Sequence, residues 1–397
     1  MSATTNEAFV YESLRTPRGR VRRDGGTLAD FPAYELFAQL LREFTARDIP
    51  AAAVQDVVTG ISTTYGEQAS ATARVAVMQA GWPDEIPGSV VNRMCCSGLD
   101  ALSIAAAQVS SGELDVVVAG GMESMSRVPM MSDKPAFAYE EQIGATTGFV
   151  TIGVSADYTA AKYGLTREEL DAFAVRSHHR SAAASWERLV PITRDGEVVL
   201  DHDEGARADT TMESLAALPP LFGEDPSWAR VEERFPGFTR PPAGLHTVGS
   251  APQLCDGASA AVIGSREAEG RLGRSPIARI AGWAHAAVRS PGLDGTVVAA
   301  QTAMKRAGVS LADIKVAEVN ESFSVTPLVL TRELGLDPEI VNARGGAVSV
   351  GHPLGASGGI ILANAIERLS AEGGGYGLLV IPGALGVSMA VVVEGLA

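Results

Sequence analysis

The sequence predicts an α/β protein made of two similar halves with a third region inserted, and three observations carry that expectation. Short apolar runs that read as buried strands alternate with alanine-rich helical patterns, as in sheets covered on both faces. Segments in the first third of the chain recur in the last third: Val54 to Gly60 resembles Ile314 to Asn320, and the helix opening at Ser97-Gly98 resembles that at Ser357-Gly358. Between them a proline-rich stretch breaks the plan.

The expected buried strands, in order, are Val57 to Ile61, Ser89 to Asn92, Asp115 to Ala119, Ala260 to Gly264, Val316 to Val319, Leu378 to Ile381 and Met389 to Val393. Helical patterns cover Leu99 to Ser110, closed by Gly112, and Gly359 to Leu369. The region from Met122 to Gly249 is different: a capping box at Thr166 to Glu169 starts a helix expected to run to about Leu189, and prolines 219, 220, 226, 236, 241 and 242 follow. Three parts result: residues 1–121 with 250–275, an inserted loop domain at 122–249, and a second half at 276–397.

Composition narrows the function. At about 100–200 residues per domain, 397 residues suit two or three domains, and 46% apolar with 20% charged residues excludes wholesale disorder. The 43 glycines exceed the usual share of about 7%, which suggests backbone that turns tightly or approaches a ligand closely. Three cysteines build no disulfide framework and suggest a reduced compartment. With 32 basic against 47 acidic residues the net charge is −15, which repels nucleic acid. Met1 to Arg20 shows neither a secretory nor a transit pattern, so the cytoplasm is expected. The uncharged run Gly373 to Val393 is long enough to span a bilayer, but Pro382 and its glycines fit two buried strands and a turn, so no membrane partner is expected.

Three segments could carry chemistry. Cys95-Cys96-Ser97-Gly98 lies between an apolar strand and a helix, where the unpaired amides of the helix start favour thiolate; the competing reading makes both cysteines small buried hydrophobes. Cys255 has no such placement and reads as structural. Asn320-Glu321-Ser322-Phe323 follows a strand at the matching point of the second half, as a polar turn or as part of a site. In the glycine-rich run Gly345 to Gly358, Pro353 keeps His352 out of helical geometry and presents its imidazole from a loop as base, acid or donor. No Gly-Lys-Ser/Thr follows, so this is not a phosphate loop. His178 and His179 are neighbours on a helix and point to different faces, which makes a solvated helix the expectation and a metal site not.

Taken together, Asn92 to Leu99 (NRMCCSGL), Asp115 to Ser126 (DVVVAGGMESMS), Asp256-Gly257-Ala258, Asn320 to Phe323 and Gly351 to Gly358 (GHPLGASG) resemble the thiolases, acyltransferases acting on coenzyme A thioesters, over nearly the whole chain. The resemblance implies the thiolase fold: two βαβαβαββ halves in a five-layered αβαβα arrangement, an inserted loop domain, and a homodimer or homotetramer. It implies Cys95 as acyl-accepting nucleophile, and His352 and Asn320 as base and thioester-oxygen partners. It also implies Ser322, Phe323 and Ile152 along the coenzyme A path, with a coenzyme A thioester or acyl carrier protein as donor and no tightly bound cofactor.

Several positions depart from the family pattern. The second cysteine, the α-proton base of a Cys-x-Gly run, corresponds to Val380, and the glycine of that run, an oxyanion-hole donor, corresponds to Pro382, which has no N–H. A glycine is replaced by Cys96, a histidine by Thr151, a serine by Pro252 and an arginine by Pro219. The stretch Leu221 to Thr247 is longer than the family suggests and carries Arg230, Arg234 and Arg240, of which Arg230 and Arg240 are candidates for a rebuilt phosphate contact.

Overall fold

The β-branched and alanine runs assemble into one large mixed sheet in the computed structural model, which describes residues 7–23 and 25–396. Its main strands are β1 (Phe9–Arg15), β2 (Asp56–Gly60), β3 (Ser89–Val91), β4 (Val116–Ser124), β5 (Cys255–Gly264), β6 (Ala278–Ala287), β7 (Ile314–Val319), β8 (Gly375–Pro382) and β9 (Val387–Gly395). They run in the order β7-β8-β9-β6-β1-β5-β4-β2-β3. From the join of β1 and β6 outward, the pairing pattern is the same on both sides. The first strand pairs antiparallel with the last, the last with the penultimate, and the penultimate lies parallel to β2 or β7. The repeated sequence segments therefore occupy matching places.

The helices that matter are α1 (Ala33–Ala46), α2 (Ser97–Ser111), α3 (Ile152–Lys162), α4 (Arg167–Ala183), α5 (Gly295–Ala307), α6 (Val325–Leu334) and α7 (Ser357–Ala371). Strand alternation assigns the layers. Val116 and Val118 face out of the first half and pack with Leu36, Phe37, Leu40 and Phe44 of α1. Val117 and Ala119 face inward, onto Leu99, Leu102 and Ala105 of α2 and Leu362, Ala365 and Ile366 of α7, which also receive Leu379, Ile381 and Val391 from the second half. Leu378, Val380 and Val392 face out of the second half onto Ala299, Ala303 and Met304 of α5. Helix, sheet, helix, sheet and helix follow in five layers. Burying each of the large side chains of α1 contributes roughly 1.5–3 kcal/mol.

The central helices touch backbone to backbone. A Cβ built on Gly358 would lie 2.1 Å from the Leu99 nitrogen, and one on Gly98 would lie 2.5 Å from the Gly355 carbonyl oxygen. Only glycine fits this crossing, which brings the entrances of α2 and α7 together at the centre of the molecule.

The uncharged C-terminal run forms the hairpin β8–β9, and among the described residues no helix is long and apolar enough to cross a membrane. The Thr166–Glu169 capping box is present, with the Glu169 amide donating to Thr166 Oγ1 and the Thr166 amide to Glu169 Oε2. Elsewhere the structure corrects the sequence reading. Helix α4 stops at Ala183, well short of Leu189, and His178 on it is fully buried, not solvated. Its Nδ1 accepts from the Arg207 amide, and burial lowers its pKa to about 4. Strand β4 continues past Ala119 to Ser124, pairing Glu123 and Ser124 with Gly257 and Asp256 of β5.

A buried charge cluster joins the inserted region to the body. Asp203 accepts from both forks of Arg15 at 2.9 and 3.0 Å, and from the Arg18 amide, Nε and Nη2 at 3.0, 3.1 and 2.7 Å. Arg15 Nε continues to Asn364 of α7 at 3.0 Å. The two guanidiniums hold the Asp203 carboxyl far below the usual carboxylate range despite its burial.

Candidate active site

Cys95 is presented by an elbow between β3 and α2. Met94 adopts a left-handed backbone, φ 52°, a conformation that costs a non-glycine residue on the order of 1–3 kcal/mol. Local hydrogen bonds hold it: Asn92 Oδ1 accepts from the Met94 amide at 2.9 Å, and Ser97 Oγ accepts from the Arg93 amide at 2.8 Å. The turn leaves Cys95 half-buried and turns Cys96 into the core, where its thiol donates to the Ile381 carbonyl at 3.3 Å. The two readings of the cysteine pair thus divide: Cys96 is the buried hydrophobe, and Cys95 the thiol at the helix entrance.

The thiol is not the thiolate that the helix start alone would favour. Burial, followed by the Glu123 carboxylate, pushes the Cys95 pKa up to about 12, while its own backbone amide pulls the other way. Glu123, from the end of β4, accepts from the amides of Ser62, Thr63 and Gly355 and from Gln68 Nε2 at 2.8, 3.0, 3.0 and 3.0 Å. It ties the loop after β2 to the entrance of α7. Sequence reasoning placed Glu123 inside a motif without giving it this role; what hid it is that its partners are backbone amides far apart in the chain.

His352 precedes α7, and its amide donates to the Gln253 carbonyl at 3.0 Å. Gly351 before it has φ 100°, and a Cβ there would meet the Cys255 sulfur at 2.6 Å. Cys255 is therefore packing beneath the histidine loop. The imidazole is sandwiched in hydrogen bonds: Nδ1 lies 2.7 Å from Ser357 Oγ, and Nε2 lies 3.3 Å from Asn320 Nδ2, which also donates to Ser322 Oγ at 2.7 Å. Burial, reinforced by the Arg18 guanidinium, lowers its pKa to about 3, so at neutral pH it is an uncharged imidazole. Thiol and imidazole both rest neutral.

Phe323 meets the rings of Phe222 and His246 edge-on, at 5.9 and 5.2 Å, and shares an apolar cluster with Ile152. Thr151 immediately precedes α3, and its hydroxyl donates to Asp225 instead of capping the helix. The arginines differ in their partners. Arg230 donates to the Phe149 carbonyl and to Glu141 at 2.9 and 2.8 Å. Arg240 stands 3.8 Å from Glu232 and is more than one-third exposed.

Val380 does not face the Cys95 elbow. It packs on the outward face with Ala299 and Val392, while its neighbour Ile381 faces α2. The end of β8 also lacks a free amide: Pro382 has none, and the Gly383 amide donates to the Val387 carbonyl at 2.7 Å.

Fold and site together define a class, the five-layered α/β proteins that present a cysteine and a histidine where two central helices cross. The sequence models "Thiolase, N-terminal domain" and "Thiolase, C-terminal domain" match residues 8–228 and 274–395. The chain belongs to the thiolase family. It is 35% identical to a β-ketoadipyl-CoA thiolase of Pseudomonas knackmussii over 98% of this chain and 99% of that one. It is also 35% identical, over the same shares, to an acetyl-CoA acetyltransferase of Rhizobium meliloti. The crystal structure of the Bacillus anthracis acetyl-CoA acetyltransferase superposes over the full length of both chains with a TM-score of 0.84 at 30% identity.

Proposed function

We propose that this chain is a divergent thiolase-type acyltransferase that takes an acyl group from a coenzyme A thioester, or an acyl carrier, onto Cys95. Its work is Claisen or retro-Claisen chemistry on β-ketoacyl thioesters. The observation that carries the reading is the backbone contact of the α2 and α7 entrances, one preceded by the Cys95 thiol and the other by the buried, neutral His352 imidazole with Asn320 against it. In the acylation step His352 Nε2 takes the Cys95 proton as sulfur attacks the thioester carbonyl. The imidazolium returns that proton to the departing thiolate, and Asn320 Nδ2 supports a developing oxygen charge. Ser322, Phe323, Ile152, Arg230 and Arg240 are the residues we assign to the coenzyme A arm. The body formed by residues 1–121, 250–275 and 276–397 would carry the chemistry, with 122–249 shaping the entry and a homodimer or homotetramer as the working unit.

A second reading concerns the second half-reaction, and the end of β8 favours it. Val380 points outward and no free amide remains at Pro382–Gly383. An acceptor activated elsewhere, or a carbanion made by decarboxylation, needs no base there. Intact-protein mass spectrometry with acetyl-CoA, longer acyl-CoAs and acyl carrier proteins tests the proposal. We expect a stable acyl adduct on the wild type that disappears in Cys95→Ala. No adduct from any donor refutes an acyl-enzyme and leaves a non-catalytic thiolase-like subunit.

A further inference from the structure

Behind His352 lies a cavity of about 10 Å³, lined by Arg18, Glu318, Asn320, Glu321, Asn342 and Ser357 among others. That is room for one water, and the lining is polar enough to hold it. Three of those side chains carry buried charge. Glu318 pairs with Arg368, and Arg18 is held by Asp203. Glu321 forms no ion pair among the described residues and accepts from Ser177, Asn342 and the Val348 amide at 2.7, 2.9 and 2.9 Å. Ser357 stands between this cavity and the imidazole.

Hydrogen-bond direction gives the arrangement a meaning. Asn320 Nδ2 is a donor, so the His352 Nε2 that faces it at 3.3 Å must offer a lone pair. The proton of the neutral ring then sits on Nδ1 and is donated to Ser357 Oγ at 2.7 Å. With its oxygen accepting from the histidine, Ser357 must turn its own proton elsewhere, and the cavity is where acceptors lie. We propose that Ser357 is a positioning residue: it fixes the Nδ1–H tautomer of His352, leaving Nε2 as the base, and donates its own hydroxyl hydrogen bond to a water in the cavity. The inference rests on His352 acting as base toward Cys95. When the Cys95 S–H bond breaks and an Nε2–H bond forms, charge on the ring strengthens the existing Nδ1–H···Ser357 bond, and no second proton moves.

The charged group acting on the imidazole is Arg18; Glu318 and Glu321 line the cavity beyond Ser357, Cys255 packs under Gly351, and Cys95 is the thiol the base would serve. None of them changes with Ser357, so the pH profile isolates it. The experiment is the rate of Cys95 alkylation by iodoacetamide against pH in wild type, Ser357→Ala, Ser357→Thr and His352→Ala. Wild type should be flat through neutral pH. Ser357→Ala should be about 10- to 100-fold slower and rise tenfold per pH unit, because the thiol must then ionise unaided. Ser357→Thr, which keeps the hydroxyl, should recover the flat profile. An alanine variant with the wild-type profile overturns the proposal. Should the alanine variant not fold, ¹⁵N-histidine NMR of the wild type decides, with His352→Ala assigning the signal: a ring protonated on Nε2 refutes it. If His352→Ala alkylates like wild type, the base role fails, and the NMR tautomer still judges Ser357. Alkylation needs no acyl donor, so a failure of acyl transfer is seen separately.

Discussion

The entrances of α2 and α7 occupy matching places in the two halves, yet they are built for opposite tasks. The α2 entrance is an elbow strained at Met94 and held by side-chain hydrogen bonds to its backbone, and it leaves its thiol half-buried beside a carboxylate. The α7 entrance is relaxed by Gly351 and encloses its imidazole in hydrogen bonds under a guanidinium. The difference extends to the strands that feed them. β4 runs on to supply Glu123, whereas β8 stops at Pro382. One half leaves a thiol half-buried at its helix entrance, the other holds an imidazole hydrogen-bonded through both ring nitrogens. The twofold plan brings the two entrances together, and its broken symmetry makes them chemically unlike.

Removing the acceptor should have the largest effect. His352→Ala is expected to slow acyl-adduct formation by about 10²–10⁴, the usual worth of a general base, followed by stopped-flow mass spectrometry. An unchanged rate would mean the second entrance is only scaffold. Next comes the crossing itself. Gly358→Ala forces a Cβ onto the Leu99 amide and should lower stability by about 1–3 kcal/mol or more in chemical denaturation, while Gly270→Ala, with open space around it, should not lower it.

Acid should separate the site from its surroundings. His178 and His352 have native pKa values lowered to about 4 and about 3, so below pH 6.5 the unfolded chain binds protons that the native one refuses. Stability must therefore fall as pH drops, by up to about 1.4 kcal/mol per pH unit for each histidine, until the native values are reached. His178→Gln should remove only the share of α4; an acid limb as steep as wild type would contradict its burial as the cause. The smallest effect is expected at Val380. A thiol there would face α5, so Val380→Cys should leave thiolysis of acetoacetyl-CoA unchanged, and an increase would overturn the side-chain direction assigned to β8.

Much of this was legible in the sequence where local pattern and tertiary role coincide. The α2 and α7 helices announce themselves by alanine content and glycine stops, and the recurring Ser-Gly pairs mark the contact point of the two halves. Cys95, Asn320 and His352 were readable because each follows a strand or precedes a helix. What hid the remainder was charge placed against type. β1 carries Glu12 and Arg15, which look solvated in sequence, yet every residue of the strand is buried. Arg18 beside a glycine reads as surface but lines the cavity behind His352. Val380 matched the family's base position by alignment, and only strand alternation shows which way it points.

The Asp203 clamp makes the inserted region a condition of the body's existence. Two arginines from the first strand and the turn after it are buried with one shared counter-charge, and that charge arrives from far along the chain. Breaking such a pair costs about 3–5 kcal/mol, a large fraction of what a domain has in reserve. An excised two-half body would inherit both cations without the carboxylate that bonds them. The insert is thus a keystone, set late in the chain's path and supplying the carboxylate that is hydrogen-bonded to both cations.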